Sequence, residues 1–152
     1  MKKYDIETDR YLYFICPKYS KNCTDFIFDQ CKGICYHICQ TKDVESILKK
    51  GLRCRSAKYR YFPKRIYVIA FTVKETNRSN DIFREVVNEL GINDISKYTV
   101  LRINLGTNGN NYHSGPDFYQ DDVMKQQNTF FTYINIPKEY IKNQGKLNTF
   151  IN

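Results

Sequence analysis

His37 follows Tyr36 inside a short apolar run, "ICYHIC", and one polar turn separates it from an amphipathic segment that closes on Gly51. An imidazole can donate from one ring nitrogen while the other accepts, so it is suited to holding a hydroxyl-bearing, nucleotide-like ligand. A histidine satisfied by backbone groups in the core is the plainer alternative. Just beyond Gly51 comes a concentration of positive charge. Lys49, Lys50, Arg53, Arg55, Lys58, Arg60, Lys64 and Arg65 occur with no acid among them, and the chain's net charge is +8. Outside this stretch the 16 acidic residues match the remaining basic ones, so the excess belongs formally to one segment. Tyr59, Tyr61 and Phe62 alternate with these cations, an arrangement that can contact phosphates and stack on bases or a nucleotide ring. A solvated loop whose charges aid solubility has the same composition.

Six cysteines stand at positions 16, 23, 31, 35, 39 and 54. If residues 35–39 form a strand, Cys35, His37 and Cys39 share one face. The spacing of Cys31, Cys35 and Cys39 is not that of a zinc knuckle or ribbon, and no C-x-x-C pair occurs. Reduced, packed thiols and no metal site are therefore expected. The opening "MKKYDIETDRYLYFIC" has polar and acidic residues where a signal peptide needs an apolar stretch, and no apolar run reaches the length of a membrane span. The expectation is a soluble, cytoplasmic protein without membrane contact.

The 152 residues correspond to one domain with a working core, 41% apolar and 15% aromatic, with 13 Tyr, 10 Phe and no Trp. "RYLYFIC" is a possible strand in an otherwise irregular lead-in over residues 1–34. "ICYHIC" reads as a strand from its β-branched and aromatic content. Thr41 is the expected N-cap of a helix, with Asp43 in its first turn, Val44, Ile47, Leu48 and Leu52 on one face, and Gly51 at its end. "RIYVIAFTV" is the strongest strand pattern. "NDIFREVVNELG" is a second amphipathic helix, with Ile82, Phe83, Val86, Val87 and Leu90 inward. "YTVLRINL" and "TFFTYINI" are further strands, separated by the Asn/Gly-rich loop "GTNGNNYHSGPDFYQDD", in which Tyr112, His113 and Tyr119 could shape recognition. This order implies an α+β domain with a mainly antiparallel split β-sheet and short helices, a core over 35–143 and a tail over 144–152. No G-x-G-x-x-G follows a strand, so a Rossmann fold fits poorly.

The ordered set "YHICQTKDVESILKKGL", "RIYVIAFT", "YTVLRINL", "DFYQDD" and "FFTYINIPKEYI" resembles small ADP-ribosyltransferase-like proteins of bacteria and phages. Their superfamily includes RNA 2′-phosphotransferases, DarT toxins and H-Y-E transferases. The similarity runs from Cys35 to Ile141. It implies an ADP-ribosyltransferase-like fold, NAD as the nucleotide, and a macromolecular target, either nucleic acid or a host protein. On the matching positions, His37, beside Tyr36, would bond a ribose hydroxyl and Tyr67 would stack on nicotinamide. Thr72 would be a polar cleft residue, and Arg53 and Arg55 would contact phosphates. Where relatives carry Thr or Ser, this chain has Cys39. The larger departure is at the third motif. Loss of nicotinamide leaves a ribosyl centre with developing positive charge, which a late-strand Glu stabilises in H-Y-E transferases. At about 4 Å and an effective dielectric near 20, such a pair is worth roughly 4 kcal/mol. "TFFTYINI" contains no acid; Glu139 follows Pro137, and Asp117, Asp121 and Asp122 precede the strand. Three readings stay open. The chain could use His and Arg residues as RNA 2′-phosphotransferases do, with Arg102 and Arg53 in those parts. An Asp, Gln126 or Gln127 could substitute for the Glu. The domain could also be a catalytically inactive nucleotide- or nucleic-acid-binding module or inhibitor that uses the Lys49–Arg65 segment.

Overall fold

A computed structural model describes residues 21–53, 66–106, 118–120, 128–132 and 134–151. Seven strands form one sheet: β1 (Lys21–Asn22), β2 (Ile34–Gln40), β3 (Ile66–Ile69), β4 (Tyr98–Asn104), β5 (Tyr119–Gln120), β6 (Thr129–Thr132) and β7 (Ile141–Lys146). Their spatial order is β1-β5-β6-β3-β2-β4-β7, and every registered pairing is antiparallel. Among the described residues two short α-helices, α1 (Val44–Lys50) and α2 (Ser79–Leu90), accompany the sheet, so the class is α+β. Among the described residues no helix is long and apolar enough to cross a membrane.

Strand alternation divides the apolar residues into two layers. One face of β2, β3 and β4 contributes Cys35, Cys39, Ile66, Val68, Leu101 and Ile103 to a cluster closed by Val44 of α1 and by Ile27 and Phe28 of a π-helical turn, Phe26–Gln30. The other face supplies Ile69 and Val100 to a second cluster, where Ile82, Phe83, Val86 and Val87 of α2 meet Leu147. Phe83 is the hub of that layer, with ring centroids 5.3 Å from Phe150, 5.7 Å from Tyr36 and 6.4 Å from Phe71. Burying a ring of this kind contributes about 1.5–3 kcal/mol.

Several expected elements change length or role. The strand expected over "RIYVIAFTV" is confined to β3, and Thr72 already precedes a 3₁₀ turn, Val73–Arg78. Within "TFFTYINI" the strand ends at Thr132, while Ile136 makes an isolated bridge to Leu52. Leu90, expected inward, is exposed because α2 ends there on Gly91 in the left-handed region. Residues 141–146 form a strand that crosses the expected boundary at 143, although only Ile141 is buried. Polar composition hid this edge strand. It forms because the free side of β4 accepts a backbone ladder, with an irregularity between Val100, opposite Gly145, and Leu101, opposite Asn143. The possible strand in "RYLYFIC" lies outside the described residues.

Thr41 does not cap α1. It opens a 3₁₀ turn, Thr41–Asp43, and its hydroxyl lies 2.8 Å from the Thr99 hydroxyl of β4. Thr99 is buried while Thr41 is exposed, which makes the pair asymmetric. Thr41→Val leaves a buried hydroxyl without its partner and is expected to cost about 1–2 kcal/mol, whereas Thr99→Val leaves the exposed hydroxyl to water and is nearly neutral. Urea midpoints of the two variants check this; equal losses would contradict it.

Candidate functional site

β2 and β3 share a single registered pair, Tyr36 opposite Ile69, although β2 continues to Gln40. Beyond that pair no further register links the two strands, and His37 lies at that gap in the ladder. Its Nδ1 is 2.7 Å from the Tyr67 carbonyl oxygen. A carbonyl only accepts, so Nδ1 carries the proton and Nε2 of the neutral ring keeps an acceptor lone pair. Burial holds the imidazole pKa below its ordinary value of 6.5, and the bond to Tyr67 only partly opposes this. The ring is therefore neutral near pH 7.

A cavity of about 680 Å³ adjoins His37. The consecutive residues His37, Ile38, Cys39 and Gln40 all line it, as expected where a cavity meets a strand along its edge. The 3₁₀ turn and α1 fold back over it and bring Asp43 and Lys50, and Arg53 follows just after Gly51. Gly51 has φ +83°, and an added Cβ would lie 2.6 Å from the Ile136 carbonyl oxygen, so only glycine lets the chain turn there towards the cavity. The wall thus presents an imidazole acceptor, one carboxylate and two cations. Burial pushes the Cys39 thiol up to about 11, with the Asp43 carboxylate adding to the effect.

The expected site residues separate into groups. His37 and Arg53 share this cavity. Tyr36 and Tyr67 lie on the opposite sheet face from His37, since Tyr36 pairs with Ile69 and side chains alternate along both strands. Tyr36 stacks on Phe71 at 5.5 Å and belongs to the α2 layer. Tyr67 is 48% exposed, and its ring meets Phe131 at 6.3 Å. Only its carbonyl reaches His37. Arg102, on β4 opposite Tyr36 and Lys142, does not line the cavity. Thr72 is joined to Glu75 at the start of the 3₁₀ turn, its N–H donating to Oε1 at 2.9 Å. Glu139 is exposed in a turn, Lys138–Tyr140. Arg55, Tyr112, His113, Asp117, Asp121, Asp122, Gln126 and Gln127 lie outside the described residues. Asp43 is the cavity carboxylate that sequence reasoning assigned only to a helix dipole. Its separation from His37 by a strand end and one tight turn was the available signal.

Cys35, His37 and Cys39 do share a face of β2, yet no group of three or more metal-ligating side chains occurs among the described residues. The side chains of Cys23, Cys31, Cys35 and Cys39 are buried. Burial pushes the Cys31 thiol up to about 12, with Glu75 adding to it, and raises Cys35 further. Thiolates are the reactive form, so these four are expected to resist iodoacetamide at about pH 8 in the native protein and to label rapidly in urea. Mass mapping of the alkylated peptides checks this, and fast native labelling of Cys35 would contradict it.

Compared with protein-family models and with curated proteins, the chain matches none.

Proposed function

We propose that the His37 cavity binds a dinucleotide of the NAD type and that the protein is an ADP-ribosyltransferase-like enzyme acting on a nucleic acid or a host protein. The observation that carries this reading is the imidazole in the gap between β2 and β3, held by Tyr67 with an acceptor nitrogen left over. The residues fit such a group. A cavity of about 680 Å³ is in the range of small-molecule sites. Nε2 of His37 accepts a ribose hydroxyl, while Lys50 and Arg53 neutralise a diphosphate. NAD supplies an electrophilic ribosyl carbon on loss of nicotinamide. Asp43 is the carboxylate that faces the same cavity, in a chain whose β6 carries none.

A second reading is favoured by one observation: the Tyr67 ring is on the other sheet face, so it is not positioned as the stacking partner that the resemblance implies. In this reading the cavity holds a nucleotide without turnover, and the Lys49–Arg65 segment grips nucleic acid with steep salt dependence. Calorimetric titration with NAD, together with an assay for nicotinamide release over protein and nucleic-acid targets, separates the two. Binding with release supports the enzyme; binding alone supports the silent module; no binding of NAD sinks the first reading.

A further inference from the structure

A second cavity, of about 610 Å³, lies at the opposite end of β3 from His37. Its lining includes Asp25, Phe26, Glu75, Gln120, Asn128 and Phe130. The polar groups are held so that acceptors are left over. Glu75 takes the Thr72 N–H at 2.9 Å on Oε1 and an Asn128 Nδ2–H at 3.5 Å on Oε2, and each carboxylate oxygen retains capacity for another donor. One N–H of Asn128 goes to Glu75 and one of Gln120 to the Thr129 carbonyl at 3.1 Å, while the Gln120 amide oxygen takes the Cys23 thiol at 4.0 Å and keeps a second lone pair. Asp25 is exposed and makes no capping bond to the turn that follows it. Two carboxylates therefore face a cleft in which Lys21, exposed on β1, is the single cation among the described lining residues.

The apolar wall is aromatic. Phe26 and Phe130 stack with centroids 5.7 Å apart and planes 27° from parallel. Two carboxylates beside a pair of aromatic rings suit a flat cationic donor. A guanidinium has five N–H donors, no acceptor and a planar face that packs on aromatic rings. A lysine ammonium lacks the fork and the plane. We infer that the cleft is a binding site for the guanidinium of an arginine side chain presented by a polypeptide, with Glu75 as its principal carboxylate and the Phe26–Phe130 pair as its stacking wall. This goes beyond the nucleotide reading and does not depend on it.

The test uses the full chain and N-acetyl-arginine methylamide, with the lysine counterpart as control, followed through backbone amide chemical shifts. Saturable shifts at Thr72, Glu75, Gln120 and Asn128 are expected, several-fold tighter for the arginine probe than for the lysine probe. Glu75→Gln keeps an oxygen for the Thr72 N–H while removing the charge, so it preserves the turn and is expected to weaken the arginine probe about tenfold, roughly 1.4 kcal/mol. Asp25→Asn, at an exposed position, is expected to weaken it less. No saturable shift, an unchanged affinity in Glu75→Gln, or equal binding of the lysine probe would each overturn the assignment. Because NAD binding is read at His37, failure of either proposal leaves the other standing.

Discussion

Gly33→Ala is expected to unfold at a much lower urea concentration than the wild type, with a loss of about 3–4 kcal/mol and a melting temperature lower by about 10 °C. Gly33 has φ +71° and joins the π-helical turn to β2, its N–H bonding the Ile27 carbonyl and its own carbonyl accepting from the Leu105 N–H, both at 2.8 Å. A Cβ there would drive into the backbone of Gly106, overlapping its carbonyl oxygen and lying 2.8 Å from the carbon and 2.9 Å from the nitrogen. Backbone cannot rotate away as a side chain can, so the cost combines left-handed strain of about 1–2 kcal/mol with overpacking of about 1–3 kcal/mol. Gly91 provides the control. Its φ is +69°, but an added Cβ meets nothing within 4 Å, so Gly91→Ala should lose only about 1 kcal/mol. Chemical denaturation with an unchanged slope measures both; equal losses would mean that the contact at Gly106 is unimportant.

If the His37 cavity holds NAD as proposed, His37→Asn is expected to keep the fold and weaken the ligand. The asparagine amide nitrogen stands where Nδ1 stands and can still donate to the Tyr67 carbonyl, but no atom replaces the Nε2 acceptor. NAD affinity is expected to fall about tenfold, the value of a hydrogen bond at the top of the usual range, and nicotinamide release to drop to background. His37→Ala removes both bonds and should show the same loss of ligand with some loss of stability. The pH dependence follows from burial. The folded-state pKa is depressed below 6.5, so the stabilisation is fully present above that unfolded value and is lost as pH falls through the folded one. Protonation also turns Nε2 from acceptor to donor, so wild-type affinity should be flat above 6.5 and decline on acidification below it. In His37→Asn both dependences should flatten. A wild-type affinity that rises on acidification would show that the charged imidazole, not the neutral one, meets the ligand.

Local patterns were legible where one residue type dominates an element's energy. β2 and β4 appear where β-branched and aromatic residues run together, and α2 appears because Ile82, Phe83, Val86 and Val87 recur at helical spacing. The buried thiols, the α+β class and the closeness of His37 to the basic side of Gly51 also followed from order and composition. β7 did not, because its stability comes from the ladder it makes with β4 and not from its own side chains. Thr41 was misassigned because its hydroxyl had two possible partners, a local N–H and the Thr99 hydroxyl on another strand, and only packing chose between them.

The site divides along the same line. Sequence by itself determined which groups could do chemistry: one imidazole after a strand tyrosine, a localised excess of cations, and no acid on the last of the strands it identified. Tertiary structure decided which of them meet. The β2–β3 ladder stops at Tyr36 and leaves a gap for His37, the 3₁₀ turn brings Asp43 back towards it, and alternation sends the rings of Tyr36 and Tyr67 to the other face. The second cavity likewise combines Asp25, Glu75, Gln120 and Asn128, drawn from three separate stretches of the chain that meet only in the fold. A side chain's chemistry is covalent and therefore local, whereas its partner is set by strand register and the facing of each residue, which depend on pairings between remote segments.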